Sequence, residues 1–398
     1  MKTLIKNGRV IDPANGIDAP MNILIENGKI ISVSEAGNED ADKIIDASDC
    51  WVVPGLIDMH VHLRDPGQLH KETIKTGTRA AAAGGFTTVC CMPNTSPVID
   101  SAETVKYINE TAVREGAVRV LPVGSITRGL AGESLSEIQK MKQAGICAIS
   151  DDGKTVENPA LFVAALKLAK ELNLPVLSHC EPEDEITERD IKLAKETGAK
   201  LHICHVSTAK SVELIRAAQK AGQPVTAEVT PHHFTLTQND NPNGKDPNFK
   251  MAPPLRTPAD RAAIIAALKD GTIAAIATDH APHHENEKNV GYENAANGII
   301  GLETAVALAI SELAGVLTPL ELVAKFTSNP AKILGLDLGH LSVGATADIT
   351  IIDPAATSII DKAKFESLSK NTPFHGREVT GRVVCTIIEG ETICLQTA

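Results

Sequence analysis

Eight short apolar runs, separated by segments of helical periodicity, restrict the fold of this chain more than any other feature. The runs cover 52–62, 86–92, 118–124, 146–150, 175–179, 201–205, 224–229 and 273–278. Between them, helical spacing of apolar residues fits 71–84, 101–115, 134–144, 158–173, 187–197, 208–221 and 258–270. Eight strands followed by helices is the arithmetic of a parallel α/β barrel, a (β/α)8 TIM-type fold. A doubly wound open sheet is the alternative. No G-x-G-x-x-G opens a helix after the first strand, so nothing supports dinucleotide binding.

The two ends of the chain read differently. Asn7-Gly8 and Asn27-Gly28 sit between alternating apolar runs, a strong hairpin signal. Near the other end, 347–353 alternates, and 383–391 reads as a strand and then a turn. Each end is short for an independent unit. The expectation is therefore a small β-sandwich domain built from both termini, 1–53 with 338–398, and a barrel over 54–337.

With 398 residues the chain can bury a large core. A net charge of -12 and an aromatic content of 3% argue against nucleic acid as a partner. No apolar run approaches a membrane span, and residues 1–8 lack a signal-peptide hydrophobic region. The eight cysteines form no C-x-x-C pair, and Cys90, Cys91 and Cys204 lie in apolar strands. They read as reduced thiols in a cytoplasmic protein.

Chemistry-bearing residues gather at the ends of the expected strands. In the first, Asp58, His60, His62 and Arg64 alternate, which places them on one face of a strand. Asp151-Asp152 follows the fourth strand, His179 ends the fifth and His205 ends the sixth. Thr230-Pro231-His232-His233 follows the seventh, and Asp279 follows the eighth. In a barrel these ends meet at one mouth, where active sites sit. A single such histidine is more often a hydrogen-bonded structural residue. Four histidines and two aspartates at corresponding strand ends are hard to explain that way. Imidazole and carboxylate ligands without paired thiols suit zinc, or less specifically manganese or cobalt. Six ligands exceed one tetrahedral site and suit two metals. The residues leave open which of Asp151 and Asp152 is the ligand.

The run from Val53-Pro54-Gly55-Leu56-Ile57-Asp58 to His62-Leu63-Arg64 resembles the amidohydrolase superfamily. Five pieces together resemble the long bacterial type of dihydroorotase: 62–67 (His-Leu-Arg-Asp-Pro-Gly), 91–95 (Cys-Met-Pro-Asn-Thr), Asp151-Asp152-Gly153, 230–233, and 277–283. That resemblance implies a cyclic amidase using zinc, two ions per chain, that interconverts N-carbamoyl-aspartate and dihydroorotate in pyrimidine synthesis. It also implies site roles. His60 and His62 would bind one metal, His179 and His205 the other, with Asp152 as the bridge. Asp279 would be both a metal ligand and the acid/base group. Arg64, Asn94, His283 and Gly298 would contact the substrate. Asp58 would orient a ligand from behind. His232 and His233 would be structural or near the substrate.

Two departures from the family pattern stand out. Ala252 precedes Pro253-Pro254-Leu255-Arg256 where the family commonly has a substrate-touching asparagine. The segment from His179 to His205 is shorter than usual, as though a loop were missing. Two other readings compete. One is a cyclic amidase acting on hydantoins, dihydropyrimidines or allantoin. Those relatives bridge their metals with a carboxylated lysine, where this chain has Asp152. The other is an inactive scaffold supporting aspartate transcarbamoylase, which the retained ligand set disfavours. The expected partner is thus a small molecule, with a homodimer as the guess for assembly and a transcarbamoylase as an optional associate.

Overall fold

The computed structural model describes residues 2–35, 37 and 40–395. Eight parallel strands line the centre of the chain: β1 (Leu56–Val61), β2 (Phe86–Cys91), β3 (Arg119–Gly124), β4 (Ala148–Ile149), β5 (Val176–Ser178), β6 (Leu201–Ile203), β7 (Val225–Val229) and β8 (Ala275–Ile276). They hydrogen-bond in sequence order, and each of the eight falls inside an expected run. A bridge from Val61 to His280, with the His62 N–H on the His280 carbonyl at 2.8 Å, joins the first strand to the chain just past the last. The expected run 52–62 divides at Gly55. Trp51–Pro54 joins the terminal sheet, and β1 begins at Leu56. A side chain at Gly55 would meet Thr87 Oγ1 at 2.2 Å, so only glycine lets the chain pass between the two sheets here.

Helices α1 (Ile74–Ala83), α2 (Ala102–Glu115), α3 (Ile138–Ala144), α4 (Pro159–Glu171), α5 (Glu183–Thr197), α6 (Ala209–Lys220), α7 (Pro258–Asp270) and α8 (Ala305–Leu313) follow the eight strands in turn. Their starts are written in the sequence. Thr73, Ser101, Asn158, Thr208 and Thr257 each cap a helix with a side-chain oxygen, and Thr257 and Asp260 form a reciprocal capping box. Their inward faces bury Ile108, Phe162, Leu166, Ile215 and Leu268 against the outside of the barrel. Two further helices, α9 (Pro319–Phe326) and α10 (Ser328–Leu334), complete the domain. Leu334 joins Ile57, Met59 and Leu177 in the core inside the barrel. Among the described residues, no helix is long and apolar enough to cross a membrane.

The chain ends pair as expected. Strands from residues 2–54 and 349–395 form one eight-stranded hydrogen-bonded sheet, with Ile349–Ile359 antiparallel to Trp51–Pro54 at the junction. The sheet closes on its own core of Ile5, Val10, Ile23, Ile351, Cys385 and Ile387. The turns of its two outermost hairpins approach each other: a side chain at Gly28 would meet the Glu389 carbonyl at 2.7 Å. Residues 362–377 leave this sheet and lie against the barrel mouth, through Ser367 on Glu72 and Asn371 on Ala281.

Candidate active site

The strand ends bring His60, His62, Asp152, His179, His205 and Asp279 together in one buried cluster. Asp152 occupies its centre. One of its oxygens is 3.1 Å from His60 Nε2, 3.5 Å from His179 Nδ1 and 3.8 Å from His205 Nε2; the other is 3.4 Å from His62 Nε2. Asp279 Oδ1 lies 3.1 Å from His62 Nε2 and 3.6 Å from His60 Nε2. His179 Nδ1 and His205 Nε2 are 2.9 Å apart. Asp151, the neighbour that the sequence could not set aside, is fully used elsewhere. It accepts from the Ile126 and Thr127 N–H groups at 2.8 and 2.9 Å and from the Thr127 hydroxyl, so it fastens the loop after β3.

The outer ring nitrogens decide which way the lone pairs face. His60 Nδ1 donates to Glu228 Oε1 at 2.7 Å, and His62 Nδ1 donates to Asn94 Oδ1 at 2.8 Å. Each Nε2 therefore presents a lone pair to the cluster, where carboxylate oxygens present more. His60 Nε2 and Asp152 Oδ1 are buried and lack hydrogen-bond alignment despite their closeness. Acceptors converging on acceptors in a dry pocket require a cation between them. The field of these carboxylates favours any cation at this point, a proton on His60 included. Burial opposes a charged His60, but Asp152, Asp279 and Glu228 outweigh it and hold its pKa well above the usual range. Burial likewise raises Asp279, but His60 and His62 bring it net below the ordinary carboxylate value. The donor set is nitrogen and oxygen only, which suits zinc and its neighbours.

Three non-glycine residues at the mouth, Arg64, His205 and Asp279, have positive φ of 58°, 35° and 48°. Such backbone costs on the order of 1–3 kcal/mol per residue and clusters at functional sites. At Arg64 it also corrects the alternation argument, because β1 stops at Val61 and Arg64 reaches the mouth from a turn. Arg64 is buried, donates through Nε to the Pro282 carbonyl at 3.1 Å and lies 3.2 Å from His283 Nε2 through Nη2. Burial lowers its pKa to about 10, and it stays charged at neutral pH. His283 is held neutral by burial and by Arg64, with a pKa of about 3.

The remaining expected residues take more specific places. Asn94 commits its carbonyl oxygen to His62, leaving its amide nitrogen 3.5 Å from Asp152. Gly298 has its N–H on the Lys250 carbonyl at 3.0 Å, and its own carbonyl accepts from Lys288 and Asn371. Asp58 accepts from the backbone N–H groups of His60 and Thr278 at 3.0 and 3.1 Å, so it steadies the backbone of the strand that leads to the cluster and not a histidine ring. His233 is structural, tied to Thr230 and to the Pro253 carbonyl. His232 is buried with an unpartnered Nε2, and burial lowers its pKa to about 4.

Sequence reading missed Glu228 and His202. Glu228 sits fully buried between His60 and His202, whose Nε2 donates to it at 3.1 Å; His202 Nδ1 accepts from the Thr226 hydroxyl at 2.8 Å. A signal existed: Glu228 is the one charged residue inside the apolar run 224–229, and an acid there needs a partner.

Comparison with known proteins agrees with this geometry. The amidohydrolase family model matches residues 51–393. A curated dihydroorotase of Syntrophotalea carbinolica is 49% identical, covering 98% of each chain, and that of Pelotomaculum thermopropionicum is 49% identical over 99% of this chain and 98% of its own. The first alignment runs over 419 residues against 398 here, so at least 21 positions of that relative have no counterpart in this chain. Among solved structures, the L-hydantoinase (dihydropyrimidinase) of Arthrobacter aurescens superposes with a TM-score of 0.91 at 26% identity, covering 100% of this chain and 96% of that one. The chain belongs to the amidohydrolase family and, within it, to the dihydroorotases.

Proposed function

We propose that this protein is a zinc-dependent dihydroorotase that interconverts N-carbamoyl-L-aspartate and dihydroorotate, with two ions per chain. The observation that carries the reading is the convergence of four histidines on Asp152, beside the buried guanidinium of Arg64. His60 and His62 would hold one ion, His179 and His205 the other, with Asp152 shared and Asp279 completing the first site. Bound there, the metals would polarise the ring carbonyl and lower the pKa of water.

The chain's own residues supply the rest. Asp279, beside His62 Nε2, takes the proton of the attacking water and hands it to the ring nitrogen as the amide C–N bond breaks. In the cyclising direction it takes the proton from the ureido nitrogen and gives it to the departing hydroxyl. Glu228 and Asn94 hold the His60 and His62 rings in the tautomer that binds metal. Arg64 makes no hydrogen bond through Nη1 among the described residues, which leaves that edge for the substrate carboxylate. His283 and the amide nitrogen of Asn94 complete this face, and Gly298 forms its floor. Ala252 contributes no side-chain donor, so Arg64 carries more of the anion recognition.

A second reading, hydrolysis of a neutral cyclic amide, rests on the structural likeness to the hydantoinase. Near-half identity to curated dihydroorotases favours the first. So does Lys154, which donates to the Leu130 carbonyl at 2.9 Å, while Asp152 occupies the bridging place. The test is ring opening of dihydroorotate and of dihydrouracil, each with and without chelator and restored zinc. Chelator-sensitive turnover with a clear preference for dihydroorotate is expected. Equal rates on both substrates would favour the neutral amide, and turnover indifferent to chelator would overturn the metal assignment.

A further inference from the structure

The loop that carries His283 and Gly298 is held by two residues outside the substrate face, Asn371 from a distant segment and Lys288 from within the loop itself. Asn371 comes from the segment between two strands of the terminal sheet, 88 residues beyond His283. It is buried, and it uses every polar group it has on this loop except its N–H. Its side-chain oxygen accepts from the His283 N–H at 3.1 Å, and its side-chain nitrogen donates to the Ala281 and Gly298 carbonyls, both at 3.0 Å. Its own carbonyl accepts from the Ile300 N–H at 3.0 Å. Three residues on, Phe374 packs in a core with Ile299 and Met251, which anchors the segment where Asn371 needs it.

Within the loop stands Lys288, a buried ammonium with no carboxylate in ion-pair distance among the described residues. It donates to three backbone carbonyls, those of Ala296 at 2.9 Å, Gly298 at 3.0 Å and Lys250 at 3.2 Å. The Gly298 carbonyl thus accepts from both anchors. Gly298 itself has a φ of 134°, and a side chain there would meet Ala281 Cβ at 2.7 Å and His283 Cδ2 at 3.2 Å. The glycine is the point where the loop presses against His283, and His283 lies against Arg64. The same C-terminal segment also holds the loop that follows Arg64, with the Ser367 hydroxyl on Glu72 and the Ser369 hydroxyl on the Lys71 carbonyl.

We propose that Asn371, seconded by Lys288, is a positioning residue that sets the spacing of the anion-binding face, and so determines the selectivity for a carboxylate-bearing substrate. It touches neither metal ligands nor reacting atoms. It acts through His283 and Gly298, and the inference rests on their reading as substrate contacts. A group that only positions the carboxylate changes binding of the charged substrate, and leaves turnover of bound substrate and metal content in place.

The test is Asn371→Ala in the full-length, zinc-loaded enzyme, assayed on dihydroorotate and dihydrouracil. KM for dihydroorotate should rise by about tenfold or more, since misplacement of contacts on the ångström scale is costly. The value of kcat should change by less than about threefold, zinc content should hold, and the preference for dihydroorotate should shrink by the same factor as KM grows. An unchanged KM, or an equal fall of kcat/KM on both substrates as a general structural loss would give, overturns the proposal. Should Asn371→Ala fail to fold, Lys288→Met decides. It keeps the stem and removes the ammonium that shares the Gly298 carbonyl, so it must show the same split, and an unchanged KM there overturns the proposal. Failure of the underlying reading is visible separately. If Arg64→Met leaves the preference of the enzyme intact, the anion face itself is misassigned, and the role of Asn371 falls with it.

Discussion

Glu228→Gln isolates the contribution of the group behind His60, the first of the proposed metal ligands. The carboxylate is fully buried and receives two charge-assisted bonds, from His60 Nδ1 at 2.7 Å and His202 Nε2 at 3.1 Å. Burial alone would raise its pKa, but His60 and His202 more than reverse that, so it is ionised at any pH where the enzyme works. Glutamine keeps the shape and one acceptor and removes the charge. A hydrogen bond to a charged group contributes about 1.5–3 kcal/mol. Changing a partner of this kind weakens metal binding by roughly 10- to 100-fold, which corresponds to about 1.4–2.7 kcal/mol. The two ranges overlap, so the expected result is a zinc Kd weaker by that factor, read by competition with a chromophoric chelator. The effect should fall on one ion, because His179 and His205 do not touch Glu228. His202→Phe, which removes only the outer bond, should weaken zinc less. If Glu228→Gln folds and binds both ions within about twofold of the unmodified protein, the tautomer of His60 is held by something else, and the argument from converging lone pairs loses its footing.

Asp279→Asn keeps size and removes basicity, so turnover should fall by about 10²–10⁴-fold, the usual contribution of a positioned acid/base group; a near-normal rate would refute the role. Asp152→Ala should lose bound zinc, measured by elemental analysis. Asp151→Ala should keep zinc and instead lower the melting temperature, because it strips three bonds from the loop at Ile126 and Thr127; the reverse pattern would exchange their assignments. Glu303 gives a pH test at a group outside the histidine–aspartate cluster. Burial lifts its carboxyl to about 7 from the usual 4.5, although the Glu366 and Ser367 N–H groups bond it. The folded state then holds a proton that the unfolded chain gives up. Its stabilisation, of order 3 kcal/mol, is full below pH 4.5 and lost as pH rises through 7. Denaturant melts of Glu303→Gln should show a flatter dependence across that window; an identical slope would refute it.

The barrel and the rough position of its site were legible because both rest on local signals. Apolar runs of strand length alternate with capped, helix-periodic segments, and that order leaves few architectures. A parallel barrel places every strand end at one mouth, so histidines and aspartates at corresponding ends could be grouped before any coordinate was known. The pairing of the chain ends was legible for a weaker reason, since neither half could bury its own face. Other features have no local signature. Asp151 and Asp152 are adjacent and chemically identical; only the loop after β3, brought alongside in space, captures one and leaves the other to the histidines. The alternation through Arg64 implied a strand that the structure ends at Val61. Asn94 suggested a substrate donor, yet its oxygen is taken by His62, 32 residues earlier. Asn371 sits in a polar stretch that reads as a loop, and its side-chain partners lie 73 to 90 residues away. Periodicity reports which face of an element is buried, and composition reports what chemistry is available. Which buried donor meets which acceptor is settled by packing between distant segments, where an unmatched polar group is too costly to keep.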